Sequence, residues 1–87
     1  MHAVVVDVEI QDMDAARKGL EEQVIPSVKQ APGFQAAYWI RLAEGRGTSV
    51  LIFDTEEHAS AAAPAPGSAS LGAKLTNVTV GEVVASA

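Results

Sequence analysis

Apolar positions along this chain repeat with two different periods. Residues 3–10, A-V-V-V-D-V-E-I, place Val4, Val6, Val8 and Ile10 on one face of an extended backbone and Val5, Asp7 and Glu9 on the other. That alternation predicts a strand with one fully apolar face. From residue 13 the period lengthens: Ala16, Leu20, Val24 and Val28 recur every four residues, with Met13 and Ile25 beside them. An amphipathic helix is therefore expected over roughly 13–30, with Asp12 or Asp14 free to cap it. Pro26 lies inside that helix. It removes the bond to the Glu22 carbonyl and is expected to kink the helix or end its regular part.

The pair Pro32-Gly33 marks a turn, and a second strand follows over about 34–42. Strict alternation puts Phe34, Ala36, Tyr38, Ile40 and Leu42 on one side, and Gln35, Ala37, Trp39 and Arg41 on the other. A-E-G-R-G reads as a hairpin loop whose glycines supply positive φ, and T-S-V-L-I-F, about 48–53, as the third strand. Asp54-Thr55-Glu56-Glu57 matches a D-x-x-E cap at the start of an alanine-rich helix that runs to about Ala63 and stops before Pro64. Residues 64–73 read as a surface loop of low complexity, and T-N-V-T-V-G-E-V-V as the closing strand. The order βαββαβ is the split βαβ, ferredoxin-like arrangement. The expected fold is α+β: one domain over 1–87, with a four-stranded antiparallel sheet and two helices on one face.

Length sharpens this picture. An 87-residue chain buries roughly 60–65% of the surface that its unfolded form exposes, and domains of this size often lean on a partner subunit. In a lone ferredoxin-like unit the second sheet face is bare. Adjacent Tyr38 and Trp39 point to opposite faces, so one ring is expected in the core and the other on that second face. Trp39, with Val5 and Leu51 or Phe53 nearby, would form an exposed apolar patch. A second copy of the sheet would cover it, which assigns Trp39 to a homodimer interface.

Charge and composition mainly exclude. The net charge is -5, and the six basic residues, Arg17, Lys18, Lys29, Arg41, Arg46 and Lys74, are scattered, so neither nucleic acid nor an anionic membrane surface is an expected partner. No apolar run approaches the ~20 residues of a membrane span. No basic n-region precedes the first strand, and cysteine is absent. The expected location is cytoplasmic.

Candidate chemistry is sparse. Gly45-Arg46-Gly47 lacks the third glycine and the helix of a phosphate loop. His2 is expected to be a solvated terminal side chain. His58 opens the second helix beside Glu56 and Glu57, as a surface histidine or as a general base. No metal-ligand cluster is visible, and no cofactor or metal is expected. Asp7 and Glu9, about 6.5–7 Å apart along one strand face, are solvated, paired with Arg41, or an acid–base pair. No G-x-S-x-G elbow is present.

Read together, V-I-P-S-V-K-Q, A-P-G-F, Y-W-I-R, G-R-G, F-D-T-E-E-H-A and V-T-V-G-E-V-V-A resemble the dimeric α/β-barrel superfamily, and within it the antibiotic-biosynthesis-monooxygenase-like domains. The resemblance covers nearly the whole chain through soft patterns. It implies a homodimer whose two sheets form a barrel with helices outside and a ligand pocket between each sheet and its helices. Some members resemble cofactor-free monooxygenases acting on polycyclic aromatic substrates. Others degrade heme with an Asn, a Trp and a His at positions that fall here near Val6, Phe53 and Ala63 or Pro64, all of which depart from that pattern.

Two functions therefore stand open: a dimeric module binding a small apolar or aromatic ligand, or a cofactor-independent monooxygenase with a dry, shaped cavity in which Tyr38 and His58 serve as hydrogen-bond donor and base. In either case the site is expected beneath the second helix. Val6, Tyr38, Phe53 and His58 would line it, because that helix follows Phe53 immediately.

Overall fold

The strand-period segments form one antiparallel sheet and the helix-period segments lie on one of its faces. The computed structural model describes residues 1–64, 69–70 and 73–87. Strand β1 spans His2–Ile10, β2 Phe34–Arg41, β3 Arg46–Phe53 and β5 Ala73–Glu82, with a two-residue strand β4, Ala69–Ser70, paired to the start of β5. The sheet order is β2-β3-β1-β5-β4, and its four long strands follow an order compatible with the ferredoxin-like arrangement expected from the sequence. Most of the expected 64–73 loop lies outside the described residues.

The first helical run is interrupted. Helix α1, Met13–Gly19, is capped by Asp12, whose side chain accepts from the Ala15 amide at 3.1 Å. Residues Leu20–Val24 then widen into a π turn, and helix α2 covers Ile25–Lys29. Proline explains the widening. The Pro26 ring would collide with the carbonyl four residues back and has no amide to offer it. In the wider turn the Ile25 amide instead bonds to Leu20, five residues back. Helix α3, Glu56–Ala62, is capped by Thr55 rather than by Asp54: the Thr55 hydroxyl accepts from the His58 amide at 3.1 Å.

Cross-strand register fixes the face below the helices. Val4 pairs with Leu51 and Val80, and Val6 with Ser49 and Val78; Val8 pairs with Gly47 and Leu75. On the far side of β3, Phe34 faces Phe53, Ala37 faces Leu51, Trp39 faces Ser49 and Arg41 faces Gly47. The register shifts between Phe34 and Ala36, so Gln35 is a bulge that exchanges the two faces of β2 beyond it. Strict alternation from Phe34 places Tyr38 in the core and Trp39 on the second face. The structure reverses both: Trp39 lies below the helices and Tyr38 is 61% exposed on the opposite face.

Packing is uneven along the helix-covered face. Val4, Phe53 and Ala59 are fully buried, with Val6 and Leu51 close behind. Phe34 meets Phe53 edge-on with ring centroids 6.1 Å apart, a favoured geometry for aromatic pairs. Helix α3 lies against β1, β3 and β5, close because Ala59 and Ala62 present little bulk. The α1–α2 run stands further off the sheet.

Two turns use glycine in the left-handed region, Gly33 at φ 76 and Gly45 at φ 73. Gly47 does not share that role. It is a buried strand residue, and a Cβ on it would lie 3.1 Å from the Ile40 carbonyl oxygen. A Cβ on Gly33 would fall 2.0 Å from Asp54 Oδ1 and 2.4 Å from His58 Nδ1, whereas one on Gly45 would meet nothing nearer than 3.8 Å. Gly45→Ala is therefore expected to lose only the conformational term, about 1–2 kcal/mol, and Gly33→Ala distinctly more. Urea unfolding of the two variants checks this order; equal losses would contradict the collision at Gly33.

Candidate functional site

Along the helix-covered face of β3 the side chains shrink from Phe53 through Leu51 and Ser49 to Gly47. Above the small end stands the α1–α2 run with its apolar stripe. The space between is a cavity of about 480 Å³. Its floor is Val6, Val8, Ser49 and Leu51, its roof Met13, Ala16, Leu20, Val24 and Val28, and one side wall Trp39. The helix positions are those of the four-residue repeat, and Leu20 and Val24 are the ends of the π turn. Thus the segment widened by Pro26 is also the segment roofing the cavity. Leu75 of β5 and Ala62 of α3 close it elsewhere.

Its polar groups are few. Thr48, in register with Asp7 and Ile40, carries its hydroxyl on the opposite sheet face, where it donates to the Val6 carbonyl at 3.2 Å. Ser49 is a buried polar residue in a row otherwise made of Val78, Val6 and Trp39. Arg17, from the last turn of α1, and Arg41, the last residue of β2, also line the cavity and are exposed.

Of the four residues expected to line a site, only Val6 does so here. Phe53 is fully buried and fills the face on the α3 side. Tyr38 lies on the opposite sheet face because of the Gln35 bulge. Trp39, expected at a dimer interface, is the aromatic wall of the cavity. The large cavity lies under the first helical run rather than under α3. Lining residues not singled out from the sequence include Ser49, Gly47, Arg17 and Arg41. A signal for the first two was present: in R-G-T-S-V-L-I-F the positions 47, 49, 51 and 53 share a face and grow in size.

His58 belongs to a different structure. Its Nδ1 lies 2.6 Å from Asp54 Oδ1. An ionised carboxylate only accepts, so Nδ1 carries the proton. The pair sits against Gly33, whose carbonyl accepts the Asp54 amide at 2.9 Å. Asp54, His58 and Gly33 thus clip the turn before β2 to the turn before α3. His58 borders only a small hollow of about 130 Å³ with Ala31, Pro32, Ala61 and Ala62, well below the size of ordinary ligand pockets. His2 is not a solvated terminal residue. It lies in β1, half-buried, with Nε2 3.7 Å from Glu56 Oε2 and a buried Nδ1 that has no hydrogen-bond partner among the described residues. Asp7 and Glu9 lie on the opposite sheet face, and Glu9 is in register with Arg46 and Lys74 rather than beside Arg41. Among the described residues no group of three or more His, Cys, Asp or Glu is placed to hold a metal ion, and no helix is long and apolar enough to cross a membrane.

Comparison with known proteins adds no relative: no protein-family model, curated protein or solved structure matches the chain.

The hydrogen bond from His58 holds the Asp54 carboxyl below its ordinary value of 3.8. A carboxyl depressed on folding adds stability that is present above its unfolded value and lost as pH falls through the folded one. Native stability is therefore expected to drop below about pH 3.8 partly through this clip, and Asp54→Asn is expected to flatten that part of the acid limb. Thermal melts from pH 6 to pH 2 test it. Parallel curves for the two proteins would remove the clip from acid unfolding.

Proposed function

We propose that this protein binds a small apolar or aromatic molecule in the cavity between its first helical run and the sheet, and that it does so as a homodimer of the α/β-barrel kind. The observation that carries the reading is the cavity itself. Its volume of about 480 Å³ lies within the range of small-molecule pockets, and its lining is apolar with a few placed polar groups, as such pockets usually are. Walls that touch nothing forfeit dispersion contacts that a ligand would restore. A flat ring system would stack along Trp39, with the Ser49 hydroxyl as a point of polar contact.

The alternative of a cofactor-independent monooxygenase of the antibiotic-biosynthesis type has less support. Tyr38 and His58, its expected donor and base, both lie away from the cavity, and the described lining residues include no phenol and no imidazole. The dimer is supported by the face turned away from the helices, where Tyr38, Ile40 and Val5 are exposed at 61%, 45% and 37%. Val50 lies between Tyr38 and Val5 in register. A continuous apolar strip of this kind on a small domain favours burial, and the resemblance to the dimeric barrel superfamily supplies the geometry.

Two measurements test these statements. In a thermal-shift screen of flat aromatic compounds, a true ligand at a hundred times its dissociation constant adds ~2.7 kcal/mol. Ser49→Leu, which extends an apolar side chain into the space, is expected to abolish that gain while leaving the unliganded melting temperature equal or higher. A ligand that binds this variant undiminished lies elsewhere. Light scattering is expected to give twice the 9.0 kDa chain mass, and Tyr38→Glu with Ile40→Glu to give the single chain. A wild-type monomer at micromolar concentration would refute the dimer.

A further inference from the structure

Two arginines line the cavity, and their sign runs against that of the chain. Eleven acidic and six basic side chains give the protein its net charge of -5, yet the described residues lining the cavity include Arg17 and Arg41 and no aspartate or glutamate. Arg17 comes from the helical roof and Arg41 from the sheet, so two elements far apart in sequence each bring an exposed arginine to the lining of one cavity.

Neither is engaged by a carboxylate. The ion pairs among the described residues are His2–Glu56 and His58–Asp54, and the described acids leave both arginines without a partner within 4.0 Å. The nearest competitors in sequence, Asp14 and Glu21, lie three and four positions from Arg17 on the same helical run and do not pair with it. Across the sheet, Arg41 faces Gly47, a residue without a side chain, and Glu9 is in register with Arg46 and Lys74 instead. Two arginines in the lining of an apolar cavity, with no described acid within 4.0 Å of either, suit an anion attached to an apolar body. The planar fork of arginine matches a carboxylate through two parallel hydrogen bonds.

We propose that the cavity takes an amphipathic monocarboxylate, an aromatic or aliphatic acid whose carboxylate is held by Arg17 and Arg41 while its apolar body lies between Trp39, Val6 and the Leu20–Val24 turn. This rests on the cavity being a ligand site and adds the chemical class of the ligand. Arg41 and Trp39 are two residues apart on one strand and share a face, so a flat acid lying along the ring directs its acid group to the rim. The Ser49 hydroxyl lies further in and suits a polar substituent on the body.

Four probes test the class: 2-naphthoate and decanoate, with their primary amides as neutral controls, titrated calorimetrically into the full chain, Arg17→Met, Arg41→Met and the double variant. At least one acid is expected to bind about tenfold or more tightly than its amide, and the preferred pair distinguishes a flat aromatic from an aliphatic body. Each methionine variant is expected to weaken the acid and leave the amide unchanged, and added sodium chloride to weaken only the acid. Both arginines are exposed, so the variants are expected to melt with the wild type. Where a variant does not, the salt dependence of the wild type carries the test. Amides binding as tightly as acids, with Ser49→Leu blocking both, would leave the cavity as an apolar site and overturn the anion assignment. No binding by any of the four would overturn both.

Discussion

Gln35 opposes no residue of β3, and every side chain of β2 beyond it is displaced to the other face. A strand has a period of two, so one extra residue converts inside to outside for all that follows. Before the bulge, Phe34 joins Phe53 in the fully packed part of the molecule. After it, Ala37, Trp39 and Arg41 share that same face, while Tyr38 and Ile40 turn to the bare side. Without the bulge, tyrosine would lie beneath the helices and the tryptophan ring, with the guanidinium of Arg41, would lie on the far face. The cavity would have neither its flat wall nor one of its two charges.

A gradient of side-chain size completes what the bulge begins. On β3 the residues facing the helices fall from Phe53 to Gly47, and the helices respond differently above the two ends. Helix α3 has alanines against the large residues and sits close. The α1–α2 run has leucine and valine above the small ones and stands off. Large against small would fill the layer evenly only if the run descended. Its π turn, imposed by Pro26, sets the course of Leu20 and Val24 over the space. The cavity thus arises from residue choices on three elements, each unremarkable alone.

Much of the architecture was legible from period alone. The strand and helix order, a cap at Asp12 or Asp14, the turn at Pro32-Gly33 and the disturbance at Pro26 follow from local rules that hold wherever the residues occur. The cavity lining was read less well because its sheet residues are placed by register, and register depends on a bulge that has no local signature in F-Q-A-A-Y-W. From strict alternation, Phe34 and Tyr38 must share a face; only the pairing to β3 shows that they do not. His58 lies away from the large cavity for a separate reason. Asp54 matched a capping pattern, but Thr55 caps the helix and frees Asp54 to hold the imidazole in the clip at Gly33. A residue that satisfies one local rule can be taken by a tertiary contact, and here that contact also removes His58 from the chemistry of the cavity.

The distribution of charge follows from the same construction. An apolar cavity opening at the edge of a sheet is costly to leave charged unless the charge keeps contact with water. Both arginines meet that condition. They stand at strand and helix ends, with exposed heads and aliphatic stems that can run along the apolar wall. Acidic residues at the same positions would also be solvated, so solvation alone does not select the sign. Sign matters only to what approaches from solution. A chain at -5 repels anions at long range, and two arginines in one cavity lining, with no acidic partner among the described residues, reverse that locally, within about the 8–10 Å over which charge is felt at ordinary salt. On the proposed reading, the two arginines serve to discriminate among ligands rather than to stabilise the fold. An exposed arginine with no acidic partner among the described residues contributes little to folding.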